Sequence, residues 1–159
     1  VSEALKNTLH TTRMGRPFDL KPHIIRGLYK YKAGDVFWKY VKYKIEEHPE
    51  IKDRAGIYAV LYRNRDEQGN EVMLFGEDSK TNPNIVAMAE MKEIPETDTW
   101  TPFEITFEYY KEIDPDILLR QGYSLTVVFT SSTDGAYYEG APGSTLYIDD
   151  VDIECMITN

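Results

Sequence analysis

The residues with the clearest capacity for chemistry form an acidic run near the end of the chain. Asp149, Asp150, Asp152 and Glu154 occupy one extended segment, in which the side chains of residues two apart point the same way and lie roughly 6.5–7 Å from each other. Two carboxyl groups at such a separation could serve as the acid and the base of a glycoside hydrolase. A carboxyl group on a solvated strand lacks the apolar pocket that raises its pKa, however, and this argues against catalysis.

The same acidic residues could instead bind a metal ion. Calcium is held by about six to eight oxygen ligands. Asp149 or Asp150 could supply a carboxylate, and the glycine-rich loop before them could supply carbonyl groups, although the sequence has no EF-hand pattern. We therefore predict a structural calcium ion at Asp149 or Asp150, with an acidic rim that protects a sheet edge as the simpler alternative.

Aromatic side chains offer a second kind of chemistry, the stacking of sugar rings. The chain contains 12 Tyr, 6 Phe and 2 Trp, and several of them alternate with lysines in residues 29–43 or lie in the glycine-rich loop 135–143. Tyr and Trp combine a flat apolar body with a polar tip, which suits both the C–H face and the hydroxyl groups of a pyranose. Most single aromatic residues are nevertheless core residues. The candidate ligand-binding residues are Tyr29, Tyr31, Trp38, Tyr40, Tyr137 and Tyr138.

Other catalytic and cofactor motifs are missing from the sequence. His10, His23 and His48 are far apart, which does not fit the usual spacings of zinc ligands. There is no GxSxG elbow, no P-loop and no GxGxxG pattern. The one cysteine, Cys155, is in phase with apolar neighbours, so we expect a buried and unreactive thiol.

The charge of the chain excludes further classes of partner. The net charge is −9, which disfavours binding to nucleic-acid phosphates and to anionic membranes. No apolar run approaches the roughly 18 residues of a transmembrane helix. Neutral ligands such as glycans remain compatible with the charge.

The elements that must position these residues are mostly β-strands. A chain of 159 residues corresponds to about one domain, and short apolar segments are separated by Gly and Pro turn signals. Residues 1–15 are predicted to be an N-terminal arm or the edge of a fragment, and residues 16–159 an all-β domain. The fold class that we predict is a jelly-roll β-sandwich of about eight antiparallel strands in two sheets. The predicted strands are 23–35, 37–45, 56–64, 72–75, 84–91, 100–110, 123–132 and 146–157.

Three of these strands carry a more detailed prediction. In 100–110, Phe103, Ile105, Phe107 and Tyr109 alternate with polar residues and should face the core. In 123–132 the inward set should be Tyr123, Leu125, Val127 and Phe129. In 146–157 the apolar phase slips by one residue, so we predict a β-bulge at Asp149–Asp150.

Parts of the sequence also resemble a known family. The stretches GLYKYKAG, YAVLYRN and LTVVFTSSTDGAYYEGAPGSTLYIDDVDI are similar to the "putative carbohydrate metabolism domain" (PCMD) of secreted and cell-surface proteins of Bacteroidetes, from about Met14 to Ile153. The stretch TWTPFEITFEY is similar to a W-x-x-F strand of jelly-roll modules. The resemblance implies a jelly roll like that of carbohydrate-binding modules, export, and further domains upstream. It also implies that Asp149 or Asp150 of the closing IDDV strand helps to hold calcium.

Together these observations favour a non-catalytic module that binds a glycan or polysaccharide in a secreted, periplasmic or outer-membrane protein. Two alternatives remain. The first is a structural or protein-interaction domain of a surface protein, next to an upstream domain of the same chain. The second is a glycoside hydrolase, for which the close pairs Asp114/Asp116 and Asp150/Asp152 are the candidates.

Overall fold

The computed structural model describes residues 12–156, without the side chain of Ala136. Within this range the chain forms ten strands and two short helices. The strands are β1 (Arg16–Pro17), β2 (Lys21–Lys32), β3 (Phe37–Val41), β4 (Lys44–His48), β5 (Gly56–Arg63), β6 (Ile85–Glu90), β7 (Thr97–Thr106), β8 (Glu108–Tyr109), β9 (Tyr123–Thr130) and β10 (Thr145–Met156). The helices are α1 (Pro115–Leu119) and a 3-10 helix (Gly135–Tyr137). Neither described helix is long and apolar enough to cross a membrane.

The strands form two antiparallel sheets and a separate hairpin. One sheet has the order β1-β9-β5-β6-β8 and the other the order β10-β2-β7, while β3 pairs only with β4. The two sheets pack face to face over a core that includes Ile25 of β2, Leu61 of β5 and Phe103 of β7. The predicted all-β sandwich is therefore confirmed.

A second apolar cluster covers the outer face of the five-stranded sheet. Val60 and Tyr62 of β5 pack there against Leu74 from the segment after β5. β5 lies between β9 and β6 and is buried on both faces, which fits its almost uninterrupted apolar sequence. The outer face of the three-stranded sheet is instead exposed at many positions of β7 and β10.

The segment predicted as one strand over residues 37–45 is two strands. β3 and β4 are joined by a two-residue turn in which Lys42 and Tyr43 have φ values of +46° and +69°. Positive φ at both central residues is the geometry of a type I′ hairpin turn, which Asn and Gly usually provide. The sequence VKYK lacks that signal, so the turn escaped prediction.

Three other strand predictions change in detail. The segment 100–110 lies in β7 and β8, which belong to different sheets, but its alternation is as predicted, with Phe103 and Phe107 buried. Residues 72–75 form only an isolated bridge between Leu74 and Met14. Phe129 was predicted to face the core but is exposed. Alternation predicts only the side of the sheet to which a residue points, and it does not predict whether the facing sheet extends far enough to cover that residue.

The end of the chain follows the predicted bulge. Asp149 pairs with Leu28 and Asp152 with Arg26, so two residues of β10 lie opposite the single residue Gly27 of β2, and Asp150 has a φ of +49°. Cys155 is half-buried rather than buried, and partial burial raises the pKa of its thiol. Most of the predicted arm, residues 1–11, lies outside the described residues.

Candidate functional site

An aromatic cleft lies between the β3–β4 hairpin and the loop 131–144. Its volume is about 730 Å³. The exposed rings of Trp38, Tyr40 and Tyr138 line it, and the ring centroids of Tyr40 and Tyr138 are 6.4 Å apart at 57°. The other lining residues are Ile45, Ser131, Ser132, Gly135, Glu139, Gly140, Ala141, Pro142 and Ser144.

Strand geometry explains why these side chains meet. Trp38 and Tyr40 are two residues apart on β3 and therefore share a face. Ile45 lies directly opposite Tyr40 on β4, so its side chain extends the same apolar surface. The hairpin is joined to the loop by two backbone hydrogen bonds, from the N–H of Trp38 to the carbonyl of Gly140 (2.9 Å) and from the N–H of Gly140 to the carbonyl of Trp38 (3.1 Å).

A buried carboxylate holds the loop in place. Asp53 has only 3% of its surface exposed. Its Oδ1 accepts a hydrogen bond from Ser132 Oγ (2.9 Å), and its Oδ2 accepts from Ser144 Oγ (2.6 Å) and from the N–H of Ala141 (2.9 Å). A buried charge is tolerated when hydrogen bonds satisfy it, and here those bonds fix one wall of the cleft.

Close packing at Gly140 adds a second constraint. A Cβ atom at this position would lie 2.5 Å from Ser132 Oγ and 3.4 Å from Asp53 Oδ2, and the φ of +154° is one that other residues rarely adopt. The loop can therefore approach Asp53 only with glycine here.

Charge in the cleft is sparse and balanced. Glu139 is the single carboxylate among the described lining residues, and its Oε2 lies 3.8 Å from Lys39 Nζ. A glycoside hydrolase uses two carboxyl groups on opposite sides of the bond that it breaks. The described lining thus offers stacking surfaces and hydroxyl groups, but not that pair.

The six aromatic candidates divide into three groups. Trp38, Tyr40 and Tyr138 line the aromatic cleft together. Tyr137 is exposed but does not line the aromatic cleft. It is the last residue of the 3-10 helix, and the backbone leaves the helix direction at the next residue, Tyr138, which has a φ of +61°.

Tyr29 and Tyr31 do not line the aromatic cleft, and a ligand-binding role for them stays a prediction. They expose 2% and 3% of their surface and pack in the core between the sheets. Burial, with a contribution from the charge of Asp53, raises the pKa of Tyr31 to about 12.

Several of the acidic candidates contact a backbone N–H or Arg26 within residues 12–156. Asp114 caps α1, since its Oδ1 accepts the N–H of Asp116 (2.9 Å). Asp152 lies 3.7 Å from Arg26, which also pairs with Glu154.

Asp149 and Asp150 lie at the bulge, where Asp149 Oδ1 accepts the N–H of Asp150 (2.9 Å). Among residues 12–156, no group of three or more His, Cys, Asp or Glu side chains is placed to hold a metal. A calcium ion there stays a prediction.

Sequence reasoning missed Ile45, Asp53 and Glu139. Ile45 was assigned to the same strand as Trp38, so its position across a hairpin was not visible. Asp53 contacts residues 79 to 91 positions away, and no local pattern indicates such a partner.

Comparison with known proteins places this geometry in a family. The sequence model of the family described as "Putative carbohydrate metabolism domain" (PCMD) matches residues 1–154. Among solved structures, a "putative glycoside hydrolase" from Bacteroides thetaiotaomicron VPI-5482 is 37% identical with a TM-score of 0.87, over 98% of this chain and 44% of that one. A "putative glycoside hydrolase" from Bacteroides vulgatus ATCC 8482 is also 37% identical with a TM-score of 0.83, over 97% of this chain and 60% of that one.

The chain therefore spans less than two thirds of either structure. No curated protein sequence matches it. Because the family match extends over nearly the whole described range, the chain belongs to the PCMD family of domains related to carbohydrate metabolism.

Proposed function

We propose that the aromatic cleft binds a glycan and that this chain does not cleave it. The observation that carries the proposal is the convergence of Trp38, Tyr40 and Tyr138 on one cleft from two separate segments. A pyranose ring can stack its C–H face on one of these rings. The hydroxyl groups of Ser131 and Ser132 and the carboxylate of Glu139 are then available for the sugar hydroxyls.

The anchoring of the loop supports this function. Ordering a loop on binding reduces affinity, because the lost conformational entropy opposes association. The hydrogen bonds from Ser132, Ala141 and Ser144 to Asp53 order this loop before any ligand arrives. The cleft is thus suited to bind a neutral saccharide with little rearrangement.

The family and the relatives support the wider setting. We propose that the chain is one module of an exported bacterial protein and works beside an upstream domain at the cell surface or in the periplasm. The two Bacteroides structures are each longer than this chain, so a catalytic domain elsewhere in such a protein could act on a glycan that this module holds.

The test is a glycan array followed by calorimetry with the best ligand. Trp38→Ala and Tyr138→Ala should each raise Kd about tenfold or more, as loss of a central aromatic contact does. Tyr110→Ala is the matched control, because Tyr110 is 54% exposed and lies outside the cleft. An array without binding across bacterial, plant and host glycans would refute the proposal and favour the interaction domain.

A hydrolase is the second candidate, since both relatives are described as glycoside hydrolases. Glu139 is the acid that this function would use, and Glu139→Gln should then abolish release of reducing sugar. If the wild-type chain binds a glycan and releases no reducing sugar from it, the binding function stands and the hydrolase does not.

A further inference from the structure

We propose that the outer face of the three-stranded sheet carries a second saccharide site, specific for acidic sugars of the uronate class. The site is a platform of three residues, Trp100, Lys30 and Tyr147. It is separate from the aromatic cleft, and none of the three residues lines that cleft.

The platform runs across the sheet, with one residue from each strand. Trp100 belongs to β7, Lys30 to β2 and Tyr147 to β10, and Lys30 and Tyr147 are direct cross-strand partners. Lys30 Nζ lies 4.6 Å from the ring centroid of Trp100 and 5.2 Å from that of Tyr147. The two rings are 44% and 56% exposed, so a flat ligand can reach both.

The pairing of β7 with β2 brings Trp100 next to Lys30. Leu28 pairs with Pro102 and Tyr29 with Thr101, and the same register sets Trp100 opposite Lys30. The register shifts at the next pair, Tyr31 with Thr97, where β7 has two more residues than β2. Hydrogen bonds fix the extra length, from Thr97 Oγ1 to the carbonyl of Thr99 (3.0 Å) and from Thr101 Oγ1 to Thr97 Oγ1 (3.1 Å).

In the described part of the chain, no carboxylate forms an ion pair with the cation at the centre of the platform. Within residues 12–156, Lys30 forms no ion pair with a carboxylate, and its described contacts are the two rings. Arg26, on the same strand, takes up Glu104 and Glu154. Asp149, the next acid along β10 from Tyr147, accepts a hydrogen bond at the bulge.

These features together select an anionic sugar. A uronate can stack its ring on Trp100 or Tyr147 while its carboxylate accepts a charge-assisted hydrogen bond from Lys30 Nζ. The net charge of −9 does not prevent this, because charges more than about 8 Å away are largely screened at physiological ionic strength. The aromatic cleft differs in this respect, since its described lining includes the carboxylate of Glu139 and no lysine.

The experiment compares acidic polysaccharides with their own neutral forms. Polygalacturonate, alginate and glucuronan are each tested by calorimetry beside the same polymer after reduction of its carboxyl groups to primary alcohols. At least one acidic polymer should bind about tenfold or more tightly than its reduced form, the difference expected from one charge-assisted hydrogen bond. That difference should shrink as salt is raised.

Matched variants then assign the binding to the platform. Lys30→Gln should remove the preference for the acidic form, and Trp100→Ala or Tyr147→Ala should weaken both forms. Lys21→Gln is the control, because Lys21 also lies over an aromatic ring, 5.0 Å from the centroid of Tyr109. Trp38→Ala should leave the preference for the acidic form over the reduced form unchanged, which keeps this site distinct from the aromatic cleft.

Two results would overturn the proposal. One is that none of the three acidic polymers binds more tightly than its reduced form. The other is that Lys30→Gln binds the acidic polymer as tightly as Lys21→Gln does, with circular dichroism melts showing that both variants are folded.

Discussion

Asp53 offers the sharpest test of how the fold builds the aromatic cleft. Replacing it with alanine removes the acceptor of three hydrogen bonds from the loop 131–144, and of a fourth from the N–H of Arg54 (2.8 Å). The groups that lose their partner lie at or near a side chain that is almost sealed from water. The variant should therefore lose both stability and glycan affinity.

The size of the stability loss follows from the individual donors. The N–H of Ala141 is buried and cannot turn to another acceptor, so leaving it unpaired costs about 1–3 kcal/mol. The hydroxyl groups of Ser132 and Ser144 can rotate, and each loses a net hydrogen bond of about 1 kcal/mol. We expect Asp53→Ala to reduce the free energy of unfolding by about 3–5 kcal/mol, a large part of the roughly 5–15 kcal/mol of a typical domain.

Asp53→Asn refines the prediction. The amide keeps one acceptor oxygen for Ser132, but its NH₂ group then faces the N–H of Ala141, which also donates. About half of the loss should remain, roughly 1.5–2.5 kcal/mol. Asp98→Asn is the control, because Asp98 is exposed and surface substitutions usually change stability by less than about 0.5 kcal/mol.

Urea denaturation followed by tryptophan fluorescence measures these losses, and calorimetry measures glycan affinity under conditions in which each variant is folded. A loss below about 1 kcal/mol for Asp53→Ala would refute the reasoning, because a single unpaired buried donor should exceed that value. Unchanged affinity in a folded Asp53→Ala variant would show that the loop does not depend on this carboxylate.

Three further predictions follow from other features. Because the pKa of Tyr31 is raised to about 12 in the folded chain, the unfolded chain releases this proton first. Stability should then fall as the pH rises from about 10 to 12, and less steeply in Tyr31→Phe; parallel curves would contradict this. Gly140→Ala should lower Tm and weaken glycan binding, since its Cβ would meet Ser132 Oγ; a variant with wild-type Tm and Kd would be inconsistent with the packing. If Asp149 or Asp150 holds calcium, EDTA should lower Tm and added calcium should restore it, whereas an unchanged melt after exhaustive chelation rules the ion out.

The fold was predictable in segments where apolar and polar residues alternate regularly. The alternation in β7 and β8 placed Phe103 and Phe107 inward, and the shift of phase at Asp149–Asp150 predicted the bulge in β10. Both patterns depend on one face being apolar, so that a slip of one residue would expose it.

The same logic failed for β2 because this strand is apolar on both faces. Ile24 and Leu28 point one way, and Ile25 and Tyr29 the other. Tyr29 and Tyr31 were therefore assigned by residue type rather than by phase, although Lys30 between them and Lys32 after them point to the solvent side. The structure buries both tyrosines between the sheets.

Only part of the lining of the aromatic cleft was predictable. Alternation with lysines selected Trp38 and Tyr40, and position in the glycine-rich loop selected Tyr138. These criteria could not separate Tyr138 from Tyr137, whose directions differ through one left-handed residue. They also could not find Trp100, which meets Lys30 only through the pairing of β7 with β2.

Net charge turned out to be a poor guide to what each surface can bind. The chain carries −9, yet the charge that a ligand meets depends on which side chains already have partners. At the aromatic cleft, the carboxylate of Glu139 lies 3.8 Å from Lys39 Nζ, which is not among the lining residues. On the outer face of the three-stranded sheet, Arg26 forms ion pairs with Glu104 and Glu154. Lys30 lies instead near two aromatic rings, which attract its cation without neutralising the charge. The local field at each surface depends on which nearby charged side chains form ion pairs, and not on the total charge. For this reason an acidic domain can present one surface for neutral sugars and another for acidic ones.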